Sequence, residues 1–316
     1  MAQGGMVKPL DRFAILVMCV LCTAWGGNQV AAKVALADFG PMTQCALRNG
    51  IGAVVVLAFA LTMRPNALRR DGTAALGVTV GVLFTLEFVL LFFAVERTTA
   101  ASSVVFLFTA PFFVAIGAVA ALPDERLAPR QWLGVIVAFL GVALGFYRPA
   151  AGSSALGDAL ALGAGAAWGA TTLVIKGTRL KAIDPTRTLL YQVVTATFLS
   201  APLALWLREP FPLHPSVAAV AGLLYQAVFV TGITYLIWFW ILKRYRAPEL
   251  SALTFISPVV GVLEAWALLG EAPNASFLIA LAGVAVGIVL LSWPAQASLR
   301  AAEACGPRAV APDSKR

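Results

Sequence analysis

Three charged side chains stand inside long apolar runs of this 316-residue chain: Arg48, Glu87 and Glu264. An Arg, Lys or Asp at the centre of a membrane helix costs about 2.5–3.5 kcal/mol on insertion scales, so such residues ask for a function or a partner. A guanidinium facing an interior cavity can hold a carboxylate through two parallel hydrogen bonds. A carboxylate in the same setting can hold an ammonium group or carry a proton. The same charges can also pair with one another or reach to an interface, and residue type alone leaves both readings open.

Aromatic and amide side chains accompany them. Trp25 and Asn28 are three residues apart and share a helix face, and Trp168 and Thr171 repeat that spacing. Polar groups beside indole rings suit an amphipathic molecule of modest size. Close helix packing beside Gly26 and Gly169 suits them equally. Tyr235 and Trp238 share a face near Thr234, whereas Trp240, next to Lys243, fits an interfacial aromatic belt. Gln192 lies seven residues after Pro185, as Arg48 lies seven after Pro41, and is expected to face the same interior. These ten, Trp25, Asn28, Arg48, Glu87, Trp168, Thr171, Gln192, Tyr235, Trp238 and Glu264, are the candidate substrate-binding residues.

Catalysis finds little material. The only histidine is His214, no G-x-S-x-G turn occurs, and no His/Cys/Glu group has metal-ligand spacing. Cys19, Cys22 and Cys45 lie in apolar runs and read as packed thiols, with Cys305 in the tail. No phosphate loop of the G-x-x-x-x-G-K-[ST] kind is present, so this chain holds no ATP motor. No catalytic residue, metal or cofactor is expected.

The elements that must position these residues follow from composition. Hydrophobic residues make up 60% of the chain and charged residues 12%, with a mean hydropathy of +0.87. Soluble domains carry about 25% charged residues, so a bilayer must solvate most of this surface. A membrane helix needs about 20 apolar residues. The runs 13–33, 42–63, 73–95, 101–121, 130–147, 156–177, 187–207, 216–242, 249–269 and 275–294 predict ten spans. Their continuous hydrophobicity excludes alternating barrel strands. The first run resembles a signal sequence ahead of Ala35-Leu36-Ala37, but its length, its Trp25, Asn28 and Lys33, and its recurrence later in the chain mark a retained span. The tail after Arg300 is polar and reads as disordered.

Net charge is +8, yet the basic residues sit at span ends and form no single patch, which argues against nucleic acid. With both termini cytoplasmic, eighteen of the 23 Lys and Arg residues fall on the inner side and five on the outer. That bias predicts the orientation.

The halves of the chain repeat one another. Trp25-Gly26 precedes Lys33 by the spacing at which Trp168-Gly169 precedes Lys176; Pro41 and Pro185, Pro111 and Pro258, Glu125 and Glu271, and Gly141 and Gly287 follow in the same order. The offset stays between 143 and 147 residues. Five spans per copy is odd, so the second copy enters the membrane from the opposite side. Two such halves exchange shapes at little cost, which is the plan of alternating-access transporters. Pro111 and Pro258 are expected to kink their spans. Glu125 and Glu271 read as loop ties, and Lys33 and Lys176 as snorkelling anchors, with Lys33 also placed to guard the outer mouth. The pairs Gly141/Gly145 and Gly283/Gly287 have the small-xxx-small spacing of close helix contacts, which leaves a homodimer open.

Taken together these segments resemble the drug/metabolite transporter superfamily, in its ten-helix EamA-type branch. The likeness rests on Ala24-Trp25-Gly26-Gly27-Asn28 with Lys33, on Arg48, and on the two endings. These run from Pro111 through Asp124-Glu125-Arg126-Leu127 to Gly134 and Gly141, and from Pro258 through Leu269-Gly270-Glu271 to Ala280 and Gly287. Ala280 stands where that family usually has Gly, and the first half carries one extra residue between its Pro and its Glu. The resemblance implies an all-α integral membrane protein of ten transmembrane helices as two inverted five-helix repeats, 13–148 and 156–294, between a cytoplasmic N-terminus (1–12) and a cytoplasmic tail (295–316). It implies a multi-pass inner-membrane secondary transporter, in contact with lipid and a small-molecule substrate. The expected cargo is an exported metabolite such as an amino acid or derivative. An importer of a small metabolite and a non-transporting membrane scaffold remain alternatives.

Overall fold

The computed structural model describes residues 8–69, 71–97, 106–146, 154–269 and 275–292. The side chains of Lys33 and Ala280, together with Arg148, Glu271 and the tail 295–316, lie outside the described residues. The described chain is helical: α1 (Arg12–Ala35), α2 (Pro41–Met63), α3 (Ala74–Arg97), α4 (Ala110–Ala121), α5 (Pro129–Phe146), α6 (Ala155–Gly177) and α7 (Pro185–Trp206) come first. There follow α8 (Val217–Leu242), α9 (Ala247–Leu253), α10 (Ile256–Leu269) and α11 (Ala275–Ser292). Among the described residues six helices, α1, α2, α3, α6, α7 and α8, are long and apolar enough to cross a membrane.

Helix starts follow local chemistry. Asp11, Ser154, Asp184 and Ser216 each accept a backbone N–H of the first turn. Pro41 and Pro185 open α2 and α7, where a missing N–H costs nothing. Gly40, before α2, offers no side-chain cap; Glu209, from the loop after α7, supplies one, accepting from Met42 N at 2.9 Å and Thr43 N at 2.7 Å.

Polarity is distributed as lipid requires. Leu205, Phe198 and Val217 stand 80%, 74% and 87% exposed, while Gln44, Asn49, Gln192, Gln226 and Thr231 are wholly buried. Apolar surface faces outward and polar groups face the bundle interior.

Packing links the two halves of the chain. α1 lies against α8 and α10; α6 lies against α3 and α4; α2 contacts α7 and α8; α7 also contacts α3; α5 pairs with α11, and α9 with α4. The α5/α11 crossing is the tightest. A Cβ on Gly141 would stand 2.6 Å from the Gly283 Cα, so only glycine permits that approach. The small-residue stripes of the two halves therefore meet each other inside one chain.

Two expectations on helix shape are corrected. Pro111 and Pro258 do not kink continuous helices; each sits in the first turn of a new one, after a break at Phe108-Thr109 and at Thr254-Phe255. The breaks leave carbonyls without helical donors. A Cβ on Gly165 of α6 would lie 2.8 Å from the Leu107 carbonyl, and on α1 the Cys22 thiol reaches the Leu253 carbonyl at 3.6 Å. The span expected over 216–242 contains ten π-helical residues, Tyr225–Thr234. Such segments concentrate at functional positions.

Candidate functional site

The centre of the site is Arg48, seven residues into α2 and 1% exposed. Its Nε donates to Thr231 Oγ1 at 3.0 Å and its Nη2 to the Tyr235 hydroxyl at 3.0 Å. The guanidinium carbon lies 4.1 Å over the Phe88 ring and 5.8 Å from the Tyr235 ring. No carboxylate among the described residues is within 4.0 Å of it. Glu87, buried next to Phe88 on α3, interacts electrostatically with Arg48 and Tyr235 but forms no ion pair with either. The cation is thus held by hydroxyls and ring faces and keeps donors to spare, since a guanidinium has five.

The wall is aromatic. Trp25 of α1 stands edge-on to Tyr235 at 6.2 Å and to Trp238 at 5.6 Å, and its Nε1 donates to Thr234 Oγ1 at 3.0 Å. Phe84 meets Tyr235 at 6.0 Å and Phe88 at 4.9 Å, and Phe88 meets Phe92 at 6.4 Å. Phe84, Phe88 and Phe92 recur every fourth residue along one stripe of α3. Phe92 also lines a cavity of about 430 Å³ with Leu36, Asp38, Phe39, Pro41 and Pro210, at the Pro41 end of α2. The aromatic ladder therefore runs from that cavity to the guanidinium.

The opposite end is shut. Glu125 and Lys176, both buried, form an ion pair at 2.8 Å. The Lys176 ammonium also donates to the carbonyls of Leu242 at 3.0 Å and Tyr245 at 2.8 Å, and Glu125 accepts the Ala247 N–H at 2.7 Å. Lys176 is thus no snorkelling anchor: it satisfies the last carbonyl of α8 and the Tyr245 carbonyl of the junction beyond it, as Glu125 ties the start of α9. Glu249, 2% exposed, accepts from Leu10 N, Gln131 Nε2 and Arg246 Nη1, and the Tyr245 hydroxyl donates to Asp11 at 2.9 Å. Beside them Lys243 donates to the Ile183 carbonyl and to Thr188 Oγ1. Outside the apolar spans, burial pulls the Lys243 ammonium down to about 8, with Asp184 partly opposing it.

The arrangement is a mostly apolar bundle with a buried guanidinium on an aromatic wall at its heart and a polar cluster tying one end. The sequence signature of the EamA-like transporter family matches residues 12–147 and again residues 155–293. The chain belongs to that family. It is a multi-pass membrane protein by that membership and its apolar helices.

Relatives agree along most of their length. An uncharacterized transporter of Bacillus subtilis, YoaV, is 23% identical over 84% of this chain and 92% of its own. The probable amino-acid metabolite efflux pump of Salmonella typhimurium is 28% identical over 83% of this chain and 87% of its own. A solved crystal structure shares the fold with a TM-score of 0.75 at 21% identity, covering 93% of this chain and 99% of that one.

Of the ten residues singled out in the sequence, the structure brings Trp25, Arg48, Glu87, Tyr235 and Trp238 together. Trp168 lies elsewhere, edge-on to Phe108 at 5.8 Å, and the Thr171 hydroxyl turns back onto the Ala167 carbonyl at 2.9 Å. Glu264 of α10 faces Gly26 and Gly27 with its Oε2 unpaired, and Asn28 Oδ1 is unpaired as well. Gln192 is fully buried with both amide atoms unpaired. Trp240 packs on Phe13 and on the Arg244 guanidinium. Thr231, Phe84, Phe88 and Phe92 are site residues that type and spacing alone did not reveal.

Proposed function

We propose that this EamA-family protein is a secondary transporter that exports a small carboxylate-bearing metabolite, an amino acid or derivative, by alternating access. The observation that carries the reading is Arg48, buried on an aromatic wall without a carboxylate partner. A desolvated guanidinium with free donors favours a planar anion, and the ring faces favour an apolar body attached to it. The Salmonella relative's name supports this cargo class.

The architecture proposed is ten spans in two inverted repeats, with both termini in the cytoplasm of an inner-membrane protein. Two family matches in one chain support it, and so does the packing. Exchanging each helix for its counterpart five spans on turns the α1/α8 contact into α6/α3, α1/α10 into α6/α4, and α2/α8 into α7/α3. It returns α2/α7 and α5/α11 to themselves, so each of these contacts maps onto another that is present.

The test is flux of radiolabelled phenylalanine into liposomes carrying the purified protein, with phenylalanine methyl ester as the carboxylate-free control. Saturable flux of the acid, poor competition by the ester and loss of flux in Arg48→Met are expected. Ester competing as well as the acid, or unchanged flux in Arg48→Met, overturns the assignment.

A further inference from the structure

One buried group has no use in the arrangement described so far. Gln192 of α7 is 0% exposed, and neither its Nε2 nor its Oε1 has a hydrogen-bond partner. Leaving a buried donor or acceptor unmade costs about 1–3 kcal/mol, and this amide leaves both. Packing does not call for an amide there, since a leucine would fill the space without the penalty.

Its position suggests the use. Thr188, Gln192 and Ala196 are spaced by four and form one stripe of α7. At one end of the stripe Ala196 is buried in the cluster that holds Phe84, Phe88 and Tyr235. At the other end Thr188 accepts from Lys243, whose remaining contact is a backbone carbonyl. No carboxylate among the described residues lies within 4.0 Å of Lys243. Gln192 thus stands on the stripe between the cluster around Arg48 and the Thr188–Lys243 contact. It is also the repeat counterpart of Arg48, seven residues after the proline that opens its helix.

We propose that Gln192 and Lys243 form the second leg of the cargo path, and take over the cargo's anionic group from Arg48 at the sealed end of the bundle. Arg48, Gln192 and Lys243 make a ladder of donors descending through the bundle. The Gln192 amide, unpaired in this state, is engaged when that end opens. A carboxylate moving along the ladder exchanges one donor for the next and is never left in apolar surroundings. Lys243 closes the ladder near the inner surface, where it releases the backbone carbonyl of Ile183 to receive the anion.

The inference rests on the transport reading, and sidedness tests it. Labelled phenylalanine uptake is measured in right-side-out and everted membrane vesicles containing the wild-type protein, Gln192→Leu, Gln192→His or Lys243→Gln. In Gln192→Leu the KM at the cytoplasmic face is expected to rise about tenfold, while the KM at the outer face stays within twofold. Lys243→Gln is expected to act in the same direction and more weakly. Gln192→His, which keeps a donor, is expected to recover most of the loss. Thermal midpoints report the competing structural role: Gln192→Leu is expected to unfold no lower than wild type. Equal KM changes at both faces, no change at either, or a lowered midpoint with symmetric loss of flux each overturns the inference while leaving transport intact. Absence of saturable wild-type flux from either face overturns the transport reading, and this inference falls with it.

Discussion

Lys176 and Glu125 form a buried ion pair across 51 positions of sequence, joining the end of α6 to the turn after α4. Each also holds backbone of a third region, the junction of α8 and α9. Breaking such a pair leaves one charge buried alone, which costs about 3–5 kcal/mol, whereas removing both charges costs far less. Lys176→Met and Glu125→Gln are each expected to lower the thermal midpoint in detergent strongly. The double variant should recover a substantial part of the loss. Additive losses in the double variant would show that the pair itself contributes nothing.

Lys243 gives a pH signature whose sign follows from its burial. Its ammonium is pulled down to about 8, below the 10.5 of a free lysine. Between those values the unfolded chain binds a proton that the folded protein has released, so stability rises with pH across that window. The penalty is fully present below about 8 and is relieved as pH climbs toward 10.5. Comparing chemical unfolding of wild type and Lys243→Met from pH 7 to pH 10 isolates the residue. The wild-type advantage should grow with pH, and parallel curves would place the ammonium in ordinary solvent.

The charged and aromatic members of the site were legible because they are out of place in lipid. Arg48, Glu87, Trp25, Tyr235 and Trp238 announce themselves by type at membrane depth, and the structure gathers them. Phe84, Phe88 and Phe92 were invisible, since phenylalanine in an apolar helix carries no signal until α3 is known to turn that stripe toward α2. The repeat does not carry the surroundings of Trp25 over to its counterpart: Trp168 packs on the broken span at Phe108, while Trp25 bonds to the π segment of α8. Lys176 was misread for a related reason. Its spacing placed it at a helix end, but only the fold shows that Glu125 and two carbonyls arrive there too.

The α5/α11 crossing supplies a stability prediction free of any cargo. A methyl on Gly141 would enter the backbone of Gly283, and one on Gly283 would stand 2.5 Å from the Gly141 Cα. Backbone cannot yield as a side-chain tip can, so the helices must part. Overpacking of this kind costs about 1–3 kcal/mol, and a larger side chain costs more. Gly141→Ala and Gly283→Ala should each lower the thermal midpoint, and Gly141→Leu should deplete folded protein in the membrane. A wild-type midpoint in Gly283→Ala would mean that the helices are not in backbone contact.

Arg48→Lys separates charge from shape. Arginine here reaches two acceptors on successive turns of α8, Thr231 through Nε and Tyr235 through Nη2, while its plane lies on Phe88. A lysine keeps the positive charge but has no planar fork, and its ammonium cannot bridge both hydroxyls while presenting two parallel donors to a carboxylate. Hydrogen bonds to charged groups contribute about 1.5–3 kcal/mol each, so losing one at the cargo raises KM roughly tenfold to a hundredfold. Phenylalanine flux in Arg48→Lys should therefore fall nearly as far as in Arg48→Met. Tyr235→Phe, which keeps the ring and removes only the hydroxyl, should lower the thermal midpoint and change KM by no more than a few-fold. If lysine restores the wild-type KM, a point charge suffices at this position and the bidentate reading of Arg48 is wrong.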